Sequence, residues 1–361
     1  MRKIAAGVIA LAFAASIAGP GKAVADNDDA VIRIMTQNIY QGTSFAELIA
    51  ATTPPAFLAA VTTTRQNILA TKPAVRAAAI AREIARERPD LVALQEVAIL
   101  RTALVPVTTP AKPVTTVEFD QLELLLAELK RLGHPYQAVA ILPNLDAQAP
   151  SSTGASVRIT TRTVIIARSS SDGVQLSNMQ AQEYLDFASV PTPVGASIPN
   201  QRGWASVDVK VNGRAARFIT THLDQSVPLN ALQISELLQS AANSTTLPVV
   251  LVGDFNVGAN LPGDPSFANY QALLNGGFVD AWVEKRAPGP GLTCCQTPSV
   301  SVPTPNFTLR VDLVLLRGGI DIRDIHLVGN TPADFVDGVW PSDHAGIVAS
   351  LRIPRGNHHT Q

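Results

Sequence analysis

The sequence predicts a single α/β domain, and three observations support that class. Residues 249–252 form an apolar run without polar alternation, which is typical of a strand buried on both faces. Segments with the apolar spacing of helices, at 73–88, 118–132 and 228–242, alternate with strand-like segments. Because 46% of the 361 residues are hydrophobic and no long linker divides the chain, residues 26–361 can bury one large core.

Residues 1–25 have the pattern of a secretory signal peptide. Arg2 and Lys3 form a charged start, an apolar stretch of about 15 residues follows, and an Ala-Val-Ala sequence ends at Ala25. A membrane-spanning helix needs roughly 20 apolar residues, so cleavage after Ala25 is favoured over retention as an anchor. We therefore expect an exported protein, secreted or periplasmic, whose mature chain begins at Asp26.

The charge balance argues against a protein that holds nucleic acid through a basic surface alone. The chain has 28 Lys and Arg residues against 29 Asp and Glu residues. Removal of Arg2, Lys3 and Lys22 with the signal takes three from the 28, which leaves 25 against 29 and a formal charge of −4. Binding to a polyanion by charge alone requires clustered Lys and Arg, so any such contact must be local or assisted by a metal ion.

Cysteine supplies no disulfide framework. Cys294 and Cys295 are the only cysteines in the sequence, and they are neighbours. A bridge between adjacent residues requires a strained ring, far from ordinary disulfide geometry. The sequence leaves three states open: two small buried side chains in a loop, a vicinal disulfide, or a bridge to another molecule.

Polar residues stand at the ends of the first two predicted strands. Residues 31–39 alternate apolar and polar side chains and end in a Thr-Gln-Asn-Ile sequence that contains Asn38. The helix at 73–88 leads into a short apolar strand that delivers Gln95 and Glu96. A strand end is a rigid mount for a ligand, which makes Glu96 the first candidate acid. Taken alone, Glu96 would be interpreted as a surface residue that caps the next element.

The middle of the chain is predicted to contain a loop, a helix and three strands. Residues 99–117 are rich in Pro and Thr and indicate a long exposed loop, and a helix follows at 118–132. The strand-like segments lie at 136–142, 155–160 and 162–167.

Positive charge is concentrated in the last two of these strands. Arg158 and Arg162 are candidates to bind a substrate phosphate, with Arg168 close behind them in the sequence. A solvated face of the strand pair is the alternative interpretation of these arginines.

The clearest hairpin lies at 203–223. Its turn, Asn212-Gly213, favours type I′ geometry, and alternating residues flank it on both sides. The second strand ends in Thr-His-Leu-Asp, which would place His222 and Asp224 on one face. His222 is a candidate catalytic residue, although a lone histidine is ordinarily a satisfied core residue.

The buried strand at 249–252 ends in Gly253-Asp254-Phe255-Asn256. Gly253 permits a bend or a close backbone approach, and an extended chain would point the side chains of Asp254 and Asn256 the same way. A carboxylate and an amide in this position suit a metal-activated water or a phosphate. A turn stabilised by an Asx side chain is the alternative interpretation.

Two more acids and a histidine lie near the C-terminus. Asp312 stands among the apolar residues of a predicted strand at 308–316, where an unpaired carboxylate would be costly. Asp312 therefore needs a partner. The sequence Ser342-Asp343-His344, just before a final predicted strand at 345–351, can supply it.

Six short motifs, in this order, resemble those of the endonuclease/exonuclease/phosphatase superfamily. That family includes DNase I-like nucleases, abasic-site endonucleases, bacterial sphingomyelinases and inositol polyphosphate phosphatases. The motifs are TQNI, QE, THLD, GDFN, RVDLVL and SDH, and the matching residues are Asn38, Glu96, His222, Asp254, Asn256, Asp312, Asp343 and His344. The resemblance spans residues 34–351, and six motifs in order are far more specific than any one of them.

The resemblance implies a DNase I-like fold, a four-layer α/β sandwich in which two packed mixed β-sheets are flanked by helices. It also implies a hydrolase that cleaves phosphate esters with Mg²⁺ or Mn²⁺. Mg²⁺ takes hard oxygen ligands and keeps several waters, so one or two carboxylates suffice. We expect Glu96 as the direct ligand, with Asn38 and Asp343 supporting it.

The resemblance further implies roles for the catalytic residues. Asp254 and Asn256 would orient the attacking water. His344, held in one tautomer by Asp312, would act as base or as an electrostatic clamp on the pentacovalent state. The choice between His344 and Asp254 as the base stays open. His222 would face the scissile phosphate.

The substrate, a phosphodiester, stays open between nucleic acid and a phospholipid headgroup. Export and the breadth of the family favour a nuclease, whereas the charge balance argues against tight duplex binding. A sphingomyelinase should expose an aromatic-tipped apolar hairpin, and with 5% aromatic residues the sequence indicates none. A non-catalytic binding module on the same fold is the alternative from another class, and the intact site residues argue against it. No stable protein partner is indicated.

Overall fold

Two mixed β-sheets packed face to face form the centre of the protein. The computed structural model describes residues 30–104, 113–171 and 173–355, so the predicted signal peptide at 1–25 lies outside the described residues. Among the helices in the described ranges, none is long and apolar enough to cross a membrane.

The described residues form sixteen strands and seven α-helices. The strands are β1 (Val31–Asn38), β2 (Leu91–Gln95), β3 (Ile99–Ala103), β4 (Val117–Asp120), β5 (Tyr136–Pro150), β6 (Ser156–Arg168), β7 (Val174–Glu183), β8 (Ala188–Pro191), β9 (Ser197–Asn200), β10 (Gly203–Val211), β11 (Arg214–His222), β12 (Val249–Asp254), β13 (Val279–Asp280), β14 (Asp312–Arg317), β15 (Asp321–Val328) and β16 (Gly346–Arg352). The helices are α1 (Ala46–Ala50), α2 (Pro54–Ala70), α3 (Pro73–Glu87), α4 (Gln121–Arg131), α5 (Val227–Leu237), α6 (Phe267–Asn275) and α7 (Ala281–Glu284). A π-helical turn, Leu238–Ala242, continues α5.

The strand order places several strand ends at one edge of each sheet. The larger sheet has the order β15-β16-β1-β2-β6-β3-β4, with β5 paired to β6, and the smaller sheet has the order β13-β14-β12-β11-β10-β7. β1 and β2 are parallel, as are β11 and β12, whereas β16 and β14 run antiparallel to β1 and β12. The C-terminal ends of β1, β2, β11 and β12 therefore lie beside the N-terminal ends of β14 and β16.

The apolar core fills the space between the two sheets. Ile32 and Ile34 of β1 pack in the same cluster as Phe218 of β11 and Val250 and Val252 of β12, and all five are buried. Alternate residues of each strand supply this cluster because side chains alternate between the two faces of a strand.

Helices cover both outer faces. α3 and α4 pack on the larger sheet through residues such as Ile80, Ile84 and Leu125. α5 and α6 pack on the smaller sheet through Leu237 and Leu273. β12 is thus buried on both faces, as its unbroken apolar run predicts, and the expected four-layer sandwich is confirmed.

The hairpin predicted at 203–223 is confirmed as β10 and β11. Asn212 and Gly213 have φ angles of 46° and 82°, which a type I′ turn requires at both central positions. The final residue of β11, His222, lies directly opposite Gly203.

Two predictions for the middle of the chain need correction. Residues 99–117 are not only a loop, because β3 and the start of β4 lie in this range; residues 105–112 are outside the described ranges. The strands predicted at 155–160 and 162–167 are one strand, β6. β6 is continuous because β5 pairs along most of its length while β2 and β3 pair with different parts of its other side. These pairings are non-local, so local sequence patterns do not show them.

Candidate active site

The strand ends bring the predicted site residues together. On the smaller sheet, His222 lies opposite Asp254, and Asp254 lies opposite Asp312. Asn38 ends β1 on the larger sheet, and its Nδ2 donates a 3.0 Å hydrogen bond to Oδ2 of Asp254. This bond joins the two sheets at the site. Residues far apart in the sequence therefore meet because each one ends or begins a central strand.

Gly253 allows β12 to approach β11 at the site. Its φ is +135°, and a Cβ added there would lie 2.0 Å from the carbonyl oxygen of Thr221. A side chain at this position is excluded by both the backbone angle and the space. The close approach that the glycine predicts is present, and it sets the position of Asp254 beside His222.

The Asp254 carboxylate is buried among polar groups from both sheets. Its Oδ1 accepts a 3.0 Å hydrogen bond from the backbone N–H of Asn256. Its Oδ2 lies 3.4 Å from Nε2 of His222 and 3.9 Å from Nε2 of His344. Burial, and after it the charge of Asp312, raises the pKa of Asp254 to about 7. Asp254 can therefore exchange a proton near neutral pH, as a general base must.

Asn256 does not point alongside Asp254, so the expectation of an extended chain is wrong here. Asn256 has a φ of 50°, and its backbone N–H closes an Asx turn on Asp254. Its Nδ2 donates a 2.8 Å hydrogen bond to the carbonyl oxygen of Leu223. Asn256 thus holds Asp254 and the end of β11 in place, and its part in orienting a water stays a prediction.

His344 is the partner of Asp312. The Nδ1–H of His344 donates a 2.8 Å hydrogen bond to Oδ2 of Asp312, whose carboxylate is fully buried. Burial opposes the charged imidazole, but the charges of Asp312, Asp343 and Asp254 outweigh it and raise the pKa of His344 well above its usual value. His344 is therefore an imidazolium at neutral pH, with its Nε2 directed toward Asp254.

His222 is neutral whereas His344 is charged, and Arg202 is one cause of this difference. A guanidinium nitrogen of Arg202 lies 2.9 Å from Nδ1 of His222. A guanidinium only donates, so Nδ1 accepts and the ring proton resides on Nε2, which faces Asp254. Burial, and after it the Arg202 charge, lowers the pKa of His222 well below its usual value. His222 is thus a neutral donor at the centre of the site.

Arg202 was not identified from the sequence because it belongs to none of the six motifs. One signal could have found it: Arg202 immediately precedes β10, and the hairpin register places the next residue, Gly203, opposite His222. The length of the hairpin therefore predicts that the side chain at 202 can reach the ring at 222.

Glu96 and Asp343 form a second group of acids beside Asn38. Oε2 of Glu96 accepts a 2.9 Å hydrogen bond from the backbone N–H of Gln41, and Oδ1 of Asn38 accepts one of 2.9 Å from Tyr40. Burial raises the pKa of Asp343 to about 7, and the nearby charge of Glu96 adds to this effect. Two carboxylates that repel each other in a poorly hydrated position fit a hard divalent cation such as Mg²⁺.

A second acidic group is less suited to that cation. Asp254, Asp312 and His344 place one ligand atom each within 4.8 Å of one another, which could hold a metal ion. The hydrogen bond between Asp312 and His344 already uses part of this set. Glu96 and Asp343 are not committed to such a bond with each other, so both groups remain able to hold a cation.

Arg76 supports the loops that carry these acids and was also missed. Arg76 is buried and donates to the carbonyl oxygens of Ile39 at 2.7 Å and Tyr40 at 3.0 Å, just after Asn38. It also donates to Pro341 at 3.4 Å, two residues before Asp343. In the sequence, nothing distinguishes Arg76 from the other arginines of a helix rich in Ala and Arg.

Arg158 and Arg162, the predicted ligands of a substrate phosphate, both lie on β6. Arg162 is buried and forms an ion pair with Asp120, and Arg158 forms one with Asp146. Their charges are compensated within the larger sheet. A phosphate would compete with these carboxylates, so phosphate binding by Arg158 and Arg162 stays a prediction, and Arg202 is a further candidate.

The two cysteines lie in the wall of the site. Of the three states that the sequence leaves open, the structure shows the vicinal disulfide between Cys294 and Cys295. Sγ of Cys295 lies 3.7 Å from Nε2 of His344.

Comparison with known proteins agrees with this fold. The model of the Endonuclease/Exonuclease/phosphatase family matches residues 35–344. D. rerio TDP2, complexed with single strand DNA product, is 17% identical with a TM-score of 0.53, and the match covers 90% of this chain and 100% of that chain. A family protein from Leptotrichia buccalis is 16% identical with a TM-score of 0.52, covering 89% of this chain and 100% of that chain.

A third structure has higher identity. The endonuclease/exonuclease/phosphatase from Beutenbergia cavernae is 22% identical with a TM-score of 0.51, and the match covers 90% of this chain and 72% of that chain. No curated protein matches the sequence. At these identities the structural likeness supports the fold, and the family model supports the relationship. The chain therefore belongs to the endonuclease/exonuclease/phosphatase family, whose members are hydrolases that act on phosphate ester bonds.

Proposed function

We propose that the protein is an exported, Mg²⁺-dependent phosphodiesterase that cleaves nucleic acid by activating a water for attack on phosphorus. One observation carries the proposal: Asp254, a carboxylate with a pKa raised to about 7, lies between a neutral His222 and a charged His344. This arrangement places a proton acceptor beside two proton donors, which in-line hydrolysis of a phosphodiester requires.

Asp254 is the general base in this proposal. The backbone N–H of Asn256 and the amide of Asn38 hold its two oxygens in place. Its raised pKa makes it a better proton acceptor than an ordinary exposed carboxylate. His344 is less suited to this role, because its raised pKa favours the protonated form.

His344 stabilises negative charge that develops on the phosphoryl oxygens. The buried carboxylate of Asp312 keeps the imidazole charged and oriented through Nδ1, so that Nε2–H is free to donate to the substrate. A preorganised donor of this kind gives the greatest benefit where water is excluded. The pair therefore works as an electrostatic clamp.

His222 and Arg202 bind the scissile phosphate. The Nε2–H of His222 is a neutral donor. One guanidinium nitrogen of Arg202 donates to His222, and the rest of the guanidinium can contact a phosphate oxygen. A partly exposed guanidinium at the edge of a buried site is well placed to bring a phosphodiester onto Asp254.

Glu96 and Asp343, with the amide oxygen of Asn38, would hold Mg²⁺ or Mn²⁺. When bound, the ion polarises a phosphoryl oxygen and neutralises developing charge. The positive charge of a bound cation also offsets the repulsion between the two carboxylates. It therefore favours the ionised form of Asp343.

A phospholipid headgroup is the second candidate substrate, and one structural feature favours it. Residues 185–194, around β8, expose the apolar side chains of Leu185, Phe187, Val190 and Val194, which are between 43% and 81% exposed. The sequence indicated no such hairpin. β8 pairs with β9, with Ala188 opposite Asn200, so the start of this apolar segment lies near Arg202. Nucleic acid stays the first candidate because D. rerio TDP2, similar over 90% of this chain, is complexed with single strand DNA product.

A substrate panel tests the function. Purified protein is incubated with Mg²⁺, or with EDTA, against single-stranded and plasmid DNA, sphingomyelin vesicles and bis-p-nitrophenyl phosphate. We expect Mg²⁺-dependent cleavage of DNA and of the chromogenic ester. Asp254→Ala and His344→Ala should lower turnover by about 10³-fold or more. Cleavage of sphingomyelin alone would select the second candidate, and no turnover on any substrate would contradict the proposal.

A matched histidine serves as the control. His326 lies on β15, where it contacts Glu87 and Asp324 and no residue of the site. His326→Ala should keep turnover within about twofold of wild type, as expected for a surface substitution. Equal losses in His344→Ala and His326→Ala would show that the loss does not come from the active site.

A further inference from the structure

The cysteine pair forms a cluster of soft ligands on the catalytic histidine. The Sγ atoms of Cys294 and Cys295 and one ring nitrogen of His344 all lie within 4.8 Å of one another. Cys295 Sγ is 3.7 Å from Nε2, the nitrogen that faces Asp254. The hydrolytic mechanism uses neither sulfur.

The backbone holds this cluster in place. The carbonyl oxygen of Thr293 accepts a 2.8 Å hydrogen bond from the backbone N–H of Ala345. The backbone N–H of Gln296 donates one of 2.8 Å to the carbonyl oxygen of Asp343. Cys294 forms an isolated β-bridge with His344 between these two bonds. The segment that carries the cysteines is thus tied on both sides to the segment that carries His344.

We propose that the dithiol form of Cys294 and Cys295 binds a thiophilic divalent cation, Zn²⁺ in the simplest case, together with Nε2 of His344. Zn²⁺ lies about 2.3 Å from sulfur and about 2.0 Å from a histidine nitrogen, so a tetrahedral ion holds these two atoms about 3.5 Å apart. The observed distance of 3.7 Å between Cys295 Sγ and His344 Nε2 matches one edge of such a site.

The remaining ligand position faces the catalytic carboxylate. Oδ2 of Asp254 lies 3.9 Å from the same nitrogen of His344 and can complete the coordination, as can a water. This soft site is distinct from the hard oxygen site at Glu96 and Asp343, because thiolates select zinc-like ions and carboxylates accept magnesium.

Reduction controls access to the site. The structure shows the disulfide, in which both sulfur atoms are bonded to each other. A dithiol reductant transfers two electrons and two protons, the S–S bond breaks, two thiols form, and the reductant becomes a disulfide. Binding of Zn²⁺ then displaces the thiol protons to solvent and the Nε2 proton of His344.

Occupation of the soft site inhibits hydrolysis, and this part rests on the proposed function. An ion on Nε2 removes the proton that His344 donates to the substrate and contacts the base, Asp254. The reduced protein is therefore inhibited by Zn²⁺ at concentrations that leave the oxidised protein active.

Metal binding can be measured without reference to activity. Full-length protein is prepared oxidised, and reduced with a dithiol that is then removed under anaerobic conditions. Zn²⁺ is titrated calorimetrically into each form with excess Mg²⁺ present, and Co²⁺ is added in parallel as a spectroscopic probe. We expect one additional Zn²⁺ per chain in the reduced form, and thiolate-to-cobalt charge-transfer absorption in that form alone. Since the sequence has two cysteines, a thiol titration reports the state of this pair directly.

Variants provide the control. Cys295→Ser should lose the additional Zn²⁺ and the charge-transfer absorption, whereas Ser299→Ala, an exposed change in the same segment, should keep both. Equal zinc binding by the oxidised and reduced wild-type forms would overturn the proposal, and that comparison needs no substitution. Binding without inhibition would overturn the inhibitory role. Absence of hydrolysis in the oxidised, zinc-free protein would contradict the proposed function while the binding result stands.

Discussion

The imidazole of His344 and the carboxylate of Asp312 are joined by a 2.8 Å hydrogen bond in the buried interior. On the other side of the ring, Nε2 faces Asp254 at 3.9 Å and Cys295 at 3.7 Å. One nitrogen of His344 is thus committed to keeping the ring charged, and the other is available for chemistry. Five expected outcomes follow from this and related contacts.

Asp312→Asn should lower kcat by about 10²-fold or more, with a smaller change in KM, because an amide cannot stabilise the imidazolium of His344. Steady-state hydrolysis of bis-p-nitrophenyl phosphate measures both constants. A thermal unfolding curve for the variant establishes that it is folded. A kcat within threefold of wild type in folded protein would show that the pair is only structural.

Glu96→Gln should raise the Mg²⁺ concentration for half-maximal activity roughly tenfold, since a neutral amide is a weaker ligand for a hard cation. A magnesium titration of the turnover rate measures it. Glu284→Gln, an exposed substitution on α7, is the matched control and should leave the titration unchanged. If both variants titrate like wild type, the cation binds elsewhere.

Arg202→Met should raise the pKa of His222 toward its usual value, because the substitution removes a positive charge 2.9 Å from Nδ1. An NMR pH titration of the ring protons measures this directly. The same variant should raise KM for a phosphodiester by about tenfold, the loss expected for one charge-assisted hydrogen bond. An unchanged pKa of His222 would mean that the charge of Arg202 does not lower it.

Gly253→Ala should reduce the free energy of unfolding by about 3 kcal/mol or more, as both the backbone angle and the contact with Thr221 exclude a Cβ. Gly263→Ala is the comparison, because nothing lies within 4 Å of a Cβ at that position. Its unfolding free energy should stay within about 0.5 kcal/mol of wild type. Denaturant unfolding curves of the two variants distinguish local strain from a general effect of alanine.

The buried Glu83 on α3 should make stability depend on pH. Burial, and after it the charge of Asp334, raises the pKa of Glu83 to about 8 from its ordinary value of 4.5. Between these values the unfolded chain releases the proton and the folded chain keeps it. Below the pKa of the unfolded chain, Glu83 is protonated in both states and does not change the free energy of unfolding. As pH rises from there toward the pKa of the folded protein, the free energy of unfolding falls.

Glu83→Gln should remove that dependence. Relative to wild type, the variant should gain on the order of 3 kcal/mol between about pH 5 and about pH 8. Denaturant unfolding at the two pH values measures the gain, with Glu123→Gln, an exposed position on α4, as the control. The same gain in both variants would rule out burial of Glu83 as its cause.

Several features of the site could be predicted because they are local in the sequence. Side-chain alternation and its absence indicate a strand, so the unbroken apolar run that ends at Gly253 and Asp254 predicts a buried strand and its end. Backbone preference makes the Asn-Gly turn before His222 a predictor of the hairpin. The nearness of Asp312 and His344 to Asp254 was implied by the resemblance to the family, in which the site lies where strand ends converge.

Other features could not be predicted because they depend on contacts between distant elements. The ion pairs of Arg158 with Asp146 and of Arg162 with Asp120 join different strands, and nothing in the local sequence shows that these charges are compensated.

The amino-acid sequence by itself determined the central strands that lead to the site, the residues at their ends and the short motifs by which the chain resembles its family, since each depends on residues adjacent in the chain. Only the tertiary structure decided the charge states of His222 and His344 and the place of the Cys294–Cys295 pair against His344. The physical reason is that burial and neighbouring charge set a pKa, and both are properties of packed side chains rather than of any short stretch of sequence.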